Sequence, residues 1–250
     1  MTTVLRSLGG AVADLGGFEL AYVTSTGDQV RLPLSDAWSL RLESVSPVRR
    51  FAAYRGQRHL SGRWWSATDE RHVGFESWLE RDHVMGLDFD PEVVAIASQP
   101  FWLFWPVEGG GRYRSHAPDY FARRVDGSAV VMDCRPENRR KPRDLAAFEM
   151  TRQACELIGW EYRLVGTLDP VLVANLRWLS GYRHRRYRLG DVADRLGVVF
   201  CEPVGLMEGA EAVGDPIAVL PVLFHLLWRH ELTADLSAPL RAATIVRVGS

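Results

Sequence analysis

Residues 117–136 read Ala117-Pro118-Asp119-Tyr120-Phe121-Ala122-Arg123-Arg124-Val125-Asp126-Gly127-Ser128-Ala129-Val130-Val131-Met132-Asp133-Cys134-Arg135-Pro136. Two apolar-rich runs flank Asp126-Gly127, a pair that tolerates the positive φ of a tight turn. The expectation is an antiparallel hairpin with strands over 119–125 and 128–135. Pro118 lacks an N–H donor and suits the start of a strand. A three-residue loop centred on Asp126 sets Asp119 opposite Asp133, whereas a two-residue loop shifts the pairing by one. Side chains alternate along a strand, so Asp133 and Arg135 share a face.

Working upstream, residues 73–87 have helical periodicity. Phe75, Leu79, Val84 and Leu87 form an apolar stripe, and Glu76, Glu80 and His83 share another face. Asp90-Pro91 ends that segment. Residues 101–105 form a dense aromatic strand, and Gly109, Gly110 and Gly111 a loop. Downstream, a helix is expected from about 144 to 158, with Asp144 as N-cap and Gly159 as its stop, then a strand over 160–165. The expected order is helix, strand, strand, strand, helix, strand, within a mixed α/β class.

Nearer the N-terminus, residues 18–23 and 29–34 flank Ser25-Thr26-Gly27-Asp28, a hairpin signature. Residues 47–66 are rich in Arg, Gly and aromatics, including Arg49, Arg50, Arg55, Arg58, Trp64 and Trp65, without clear periodicity. After Gly166, residues 170–179, 189–196 and 216–228 read as helices, and 232–235 and 244–248 as short strands. This suggests a winged helix-turn-helix module. Three segments result: a β-rich, Arg-aromatic 1–66, a core over 67–167, and the winged-helix-like 168–250.

The bulk properties narrow the function. Hydrophobic residues make up 47% of the 250, with nine tryptophans, ample for a core and unlike a disordered chain. The longest apolar runs are too short to span a bilayer, and no apolar block follows Arg6 as in a signal peptide, so a cytoplasmic location without membrane contact is expected. Cys134, Cys155 and Cys201 are far apart with no C-x-x-C, which argues against a disulfide framework and a structural zinc site. A net charge of −1 argues against a generic polyanion binder, so contact with nucleic acid needs local basic patches. Two are present: Arg135, Arg139, Arg140, Lys141 and Arg143; and Arg183, Arg185, Arg186 and Arg188 with Tyr182 and Tyr187 interleaved. Either run is also what a solvated face looks like. Lys141 is the only lysine in the chain.

Opposed strand residues have Cβ atoms roughly 5 Å apart. Two carboxylates at that distance, Asp119 and Asp133, repel one another, and a shared divalent cation removes the conflict. Mg²⁺ takes oxygen ligands and one or two carboxylates, and keeps waters. Glu76 or Glu80 on the helix supplies a third carboxylate, and Arg135 adds a fixed cation. Such a set lowers the pKa of a bound water and neutralises phosphate charge. The same residues also fit a surface salt-bridge ladder. His83 follows Glu80 by one turn, His116 precedes the Pro-Asp pair and Gln99 begins a strand near the site, each with an ordinary structural reading beside a functional one. No G-x-x-x-x-G-K and no G-x-S-x-G occurs.

Several ordered stretches resemble the TnsA-type endonuclease subunits of heteromeric transposases. They are Phe75-Glu76-Ser77-Trp78-Leu79-Glu80-Arg81-Asp82, Phe89-Asp90-Pro91, Ser98-Gln99-Pro100-Phe101, Ala117-Pro118-Asp119-Tyr120-Phe121, Val131-Met132-Asp133-Cys134-Arg135-Pro136 and Gly159-Trp160. The resemblance covers residues 48–166 and continues more weakly through Leu220-Pro221 and His225-Leu226-Leu227-Trp228. It implies a restriction-endonuclease-like core of the PD-(D/E)xK superfamily. It further implies a site of Glu76, Asp119 and Asp133 holding Mg²⁺ or Mn²⁺, with Arg135 in the place of the family lysine. Double-stranded DNA at transposon ends would be the substrate, and a DDE transposase subunit and an ATPase regulator the partners. Arg139, Arg140, Lys141, Arg185 and Arg186 would serve DNA contact. The family pattern is Gln-x-Lys, where this chain has Asp-x-Arg. Arginine keeps its proton near neutral pH and cannot act as a general base, but it can orient water or stabilise phosphate charge. A catalytically decayed subunit acting in DNA binding or assembly, and a stand-alone defence or repair nuclease, are the competing expectations.

Overall fold

The computed structural model describes residues 17–49, 61–107 and 111–249. The readings placed on Arg6, Arg50, Arg55, Arg58, Gly109 and Gly110 lie outside the described residues.

The chain is a mixed α/β protein. Its elements run β1 (Glu19–Val23), β2 (Gln29–Pro33), β3 (Gly62–Trp65), β4 (His72–Phe75), α1 (Trp78–Phe89), β5 (Val93–Ser98), β6 (Trp102–Pro106), β7 (Tyr113–His116), β8 (Tyr120–Arg124), β9 (Ala129–Cys134), α2 (Pro142–Leu157) and β10 (Glu161–Val165). Beyond these come α3 (Pro170–Ser180), α4 (Gly190–Val199), β11 (Val204–Gly205), α5 (Leu206–Val213), α6 (Pro216–Trp228), β12 (Leu232–Ala234) and β13 (Ile245–Val248). No helix among the described residues is long and apolar enough to cross a membrane.

Two four-stranded sheets organise the first two thirds. One has the order β2-β1-β6-β7, the other β10-β9-β8-β5. In the second sheet β5, β8 and β9 are antiparallel neighbours, and β10 joins β9 in parallel. The β8–β9 hairpin is buried on both faces. Tyr120, Ala122, Val130 and Met132 pack with Val84, Met85 and Leu87 of α1. Phe121, Ala129 and Val131 pack with Ala154 and Cys155 of α2 and with Leu20, Leu103 and Trp105 of the other sheet. This double burial explains why all six residues of β9 are buried.

The aromatic run at 101–105 was expected to precede the hairpin in its own sheet. It forms β6 instead, paired with β1 and β7. The hairpin's neighbour is β5, from the plainer Val93-Val94-Ala95-Ile96-Ala97-Ser98, which pairs Ser98 with Tyr120. A short apolar run bounded by Pro91 and Pro100 is a buried-strand signal that a brighter aromatic neighbour obscures. Alternation also splits that run. Phe101, Leu103 and Trp105 are core, while Trp102 and Phe104 are half-buried on the other face.

The helix expected over 73–87 begins later. Residues 72–75 form β4, paired with β3, because β-branched Val73 and Phe75 fit the pleated core surface. Ser77 then caps α1, its Oγ accepting from the Glu80 N–H at 3.2 Å. Asp144 is not an N-cap either: Lys141 takes that place and Pro142 starts α2, so Asp144 falls in the first turn. The stop at Gly159 holds, with φ 76°. The hairpin of β1 and β2 also forms where its turn residues indicate.

The C-terminal third runs α4-β11-α5-α6-β12-β13, and its strands form a sheet of order β11-β13-β12. Its core is continuous with the face of the second sheet that α1 covers. One cluster of buried side chains extends from Trp64 through Val84 and Met132 to Leu223 and Val246. Polar ties reinforce the join. Arg177 of α3 meets Asp82 of α1 at 2.8 Å, and the Arg183 guanidinium lies 4.3 Å from the Trp64 ring centre and donates to the Trp65 carbonyl.

Candidate active site

The N-terminus of α1 fixes two glutamates in different roles. Ser77 and Glu80 form a capping pair. The Ser77 hydroxyl donates to Glu80 Oε1 at 2.9 Å, and Glu80 Oε2 accepts from the Glu76 N–H at 2.7 Å. Glu80 is thus held across the end of the helix. Glu76 precedes the cap, so the shared helix face expected for Glu76, Glu80 and His83 does not form. The Glu76 carboxylate lies 2.8 Å from Arg49 Nη2. His83 is buried, with Nε2 2.8 Å from the Gly166 carbonyl, a structural contact.

The hairpin loop has three residues. The Arg124 N–H donates to the Ser128 carbonyl and the Gly127 N–H to the Arg124 carbonyl, with Gly127 at φ 85°. The register Tyr120↔Met132 carries Asp119 to the position across from Asp133. Asp119 Oδ2 accepts from the Cys134 N–H at 2.7 Å. Asp133 is 1% exposed, and both its oxygens are engaged: Oδ1 lies 2.8 Å from His116 Nε2, and Oδ2 accepts from the Tyr162 hydroxyl at 2.7 Å.

Burial pushes the Asp119 carboxyl well above the usual aspartate range, and the charges of Asp133 and Glu80 push it further. The Cys134 N–H and the Arg49 guanidinium pull back. Burial also raises Glu80; the hydrogen bonds from the Glu76 N–H and the Ser77 hydroxyl pull it back, as does Arg49, while the charge of Glu76 adds to the rise. Four carboxyl groups therefore share one neighbourhood, and the glutamate whose charge reaches Asp119 is Glu80. The cation set among them is Arg49.

Arg135 follows β9, its N–H donating to the Val165 carbonyl, and its exposed side chain forms no ion pair among the described residues. Arg139 and Lys141 are exposed beside it, and Arg140 turns its Nε back to the Arg135 carbonyl at 3.2 Å. The second basic run disperses. Arg183 faces inward onto Trp64, Arg188 pairs with Glu231, Arg185 lies 3.6 Å from Glu70, and Arg186 is 5.0 Å from the Tyr187 ring. None of these partners belongs to the carboxylate neighbourhood.

Gln99, Arg49 and Tyr162 join the site, and the latter two had no place in the expected set. Gln99 has φ 47°, is 2% exposed, and its Oε1 has no hydrogen-bond partner among the described residues. Its N–H donates to the Asp119 carbonyl at 2.8 Å. Tyr162 was visible only as an alternate residue of a predicted strand. Ser77-x-x-Glu80 is a capping signature, and it was the available clue that Glu76 stands outside the helix.

Among the described residues no group of three or more His, Cys, Asp or Glu side chains is arranged to hold a metal ion. Asp119 is the residue that would hold a cation, since its Oδ1 makes no hydrogen bond among the described residues, and a cation held by one carboxylate would stay largely hydrated. A shell of three direct carboxylates does not fit, because hydrogen-bond donors already occupy Asp133 and Glu80. A cavity of about 470 Å³ lies elsewhere, between α3, α5 and α6, lined by Trp178, Leu206, Leu220, Phe224 and Leu240. No protein-family model matches the chain, and no curated protein matches it.

Proposed function

We propose that the chain is a Mg²⁺- or Mn²⁺-dependent DNA endonuclease, a TnsA-like subunit that hydrolyses phosphodiester bonds at transposon ends in the cytoplasm. The observation that carries this reading is the gathering of acids at the end of the hairpin, where Asp119 lies across from Asp133 with the Glu80 carboxylate close enough for its charge to act on Asp119. Such an excess of negative charge at the end of a hairpin is what a divalent cation relieves.

The topology supports the reading. Helix α1, antiparallel β5, β8 and β9, helix α2 and parallel β10 follow the order of a restriction-endonuclease-like core. The order α4-β11-α5-α6-β12-β13 supports a winged-helix-like module behind it. In a winged helix the helix ahead of the final strand pair would face DNA, and here that helix is α6, which has no Lys or Arg and eight buried residues. We assign the module to contact with partner subunits, a DDE transposase and an ATPase regulator, rather than to groove readout.

A bound Mg²⁺ would supply Lewis acidity toward the phosphate and acidify a water. The protein's share is positional. Asp119 presents Oδ1 for the cation while the Cys134 N–H fixes Oδ2. His116 and Tyr162 hold Asp133 in a buried, outer position. Arg135, Arg139 and Lys141, all exposed, would contact the DNA backbone.

The test is nicking of supercoiled DNA with Mg²⁺ or Mn²⁺, alone and with the transposase partner. Wild type is expected to cut and Asp119→Ala to remain at background. Equal rates under every condition would refute the proposal. A decayed nuclease serving DNA binding or assembly is the second reading, favoured by the full occupation of Asp133. Arg135→Lys separates the two: a gain from no cutting to robust cutting supports decay, and loss of existing cutting shows that the arginine is used.

A further inference from the structure

Arg49 enters the site along a backbone clamp. The Val48 N–H donates to the Gln99 carbonyl at 2.9 Å, and the Gln99 N–H donates to the Asp119 carbonyl at 2.8 Å. A single residue thus ties the Val48-Arg49 backbone to that of Asp119. Gln99 does so at φ 47°, a conformation costly for any residue with a Cβ, and with a buried side-chain oxygen that has no partner among the described residues. Strain and orphaned polar atoms of this kind collect where a structure holds a functional geometry.

The clamp leaves the Arg49 side chain 42% exposed, with Nη2 2.8 Å from Glu76 Oε2 and no other ion-pair partner among the described residues. A guanidinium offers five donors in a planar fork that matches a phosphate, so one contact with Glu76 leaves most of them free. Glu76 has no other side-chain partner among the described residues; it lies outside the helix, and only its backbone N–H takes part in the cap. Arg135, the cation expected here, forms no ion pair with a carboxylate among the described residues.

We infer that Arg49 is the phosphate-binding cation of this site, and that Glu76 is its positioning counter-ion rather than a metal ligand. The inference rests on the nuclease reading, because the phosphate is that of a DNA phosphodiester. It places substrate recognition on a residue ahead of α1, and it limits direct cation binding to the strand end at Asp119.

Mn²⁺ binding followed by electron paramagnetic resonance, and duplex DNA binding in Ca²⁺ across a salt series, test it on the full chain. Arg49→Ala is expected to weaken duplex binding about tenfold and lower the salt slope by about 1, the signature of one lost phosphate contact. Its Mn²⁺ affinity is expected to equal or exceed that of wild type. Glu76→Gln is expected to keep wild-type Mn²⁺ affinity, while Asp119→Ala loses it. Arg49→Lys keeps the charge without the fork, so its salt slope stays near wild type and its affinity falls between the two. Thermal melts confirm that each variant is folded. If wild type shows no Asp119-dependent Mn²⁺ binding, the nuclease reading falls and takes the inference with it. If that binding is present but Arg49→Ala holds duplex as wild type does, or Glu76→Gln loses Mn²⁺ as Asp119→Ala does, the inference alone is overturned.

Discussion

Burial and two neighbouring acids all favour the protonated form of Asp119. A carboxyl whose folded-state pKa is raised contributes stability that is fully present below its unfolded pKa, about 3.9, and is lost as pH rises through the elevated value. Asp119→Asn removes that loss while keeping an acceptor for the Cys134 N–H. In chelator, the variant is therefore expected to match wild type at low pH and to melt progressively higher than wild type toward neutral pH. Thermal melts across pH read the gap, and a gap that closes or reverses with rising pH would contradict the electrostatics. Tyr162→Phe strips a donor from buried Asp133 and is expected to cost about 1–3 kcal/mol in denaturant unfolding. The opposition of Asp119 and Asp133 was legible only for a three-residue loop: Asp126-Gly127 marks the turn, but the choice between two and three residues is settled by the pairing of Arg124 with Ser128. The split between Glu76 and Glu80 was not legible from periodicity, which cannot show where a helix begins. Arg49 was hidden for another reason: its partner lies 27 residues away, and no local pattern encodes that pairing.

Among the elements, α1 depends on its cap. Ser77→Ala removes the acceptor for the Glu80 N–H and is expected to cost about 1 kcal/mol of stability. It also releases one hold on Glu80 beside Asp119; an unchanged melt would show that the cap is not formed. The hairpin, the helix over Pro142–Leu157 and the final strand of the second sheet were readable because turn residues and apolar runs agree there. The choice between β5 and β6 was not. Both runs are apolar and of strand length, and only tertiary pairing decides that Ser98 meets Tyr120 while Leu103 meets Leu20. Likewise α5 and β11 carry weak local signals and depend on their packing against α4, α6 and β13.

For the whole molecule, the single core cluster from Trp64 to Val246 makes α3 and α6 part of the wall that covers α1. One cooperative unfolding transition is expected, and Leu223→Ala in α6 should cost about 2–5 kcal/mol and shift that transition as a unit. Two resolved transitions in calorimetry, with only the later one shifted, would show that the C-terminal third folds apart from the sheet. The proposed function requires a divalent cation to meet Asp119 at the end of the hairpin. Diffraction from crystals soaked in Mn²⁺, recorded for the metal's anomalous signal, tests it most directly. The expected result is one peak about 2.1 Å from Asp119 Oδ1, the distance for a small octahedral cation, with Asp133 still bonded to His116 and Tyr162. A saturated crystal with no peak at Asp119, or with the peak elsewhere in the molecule, would contradict it.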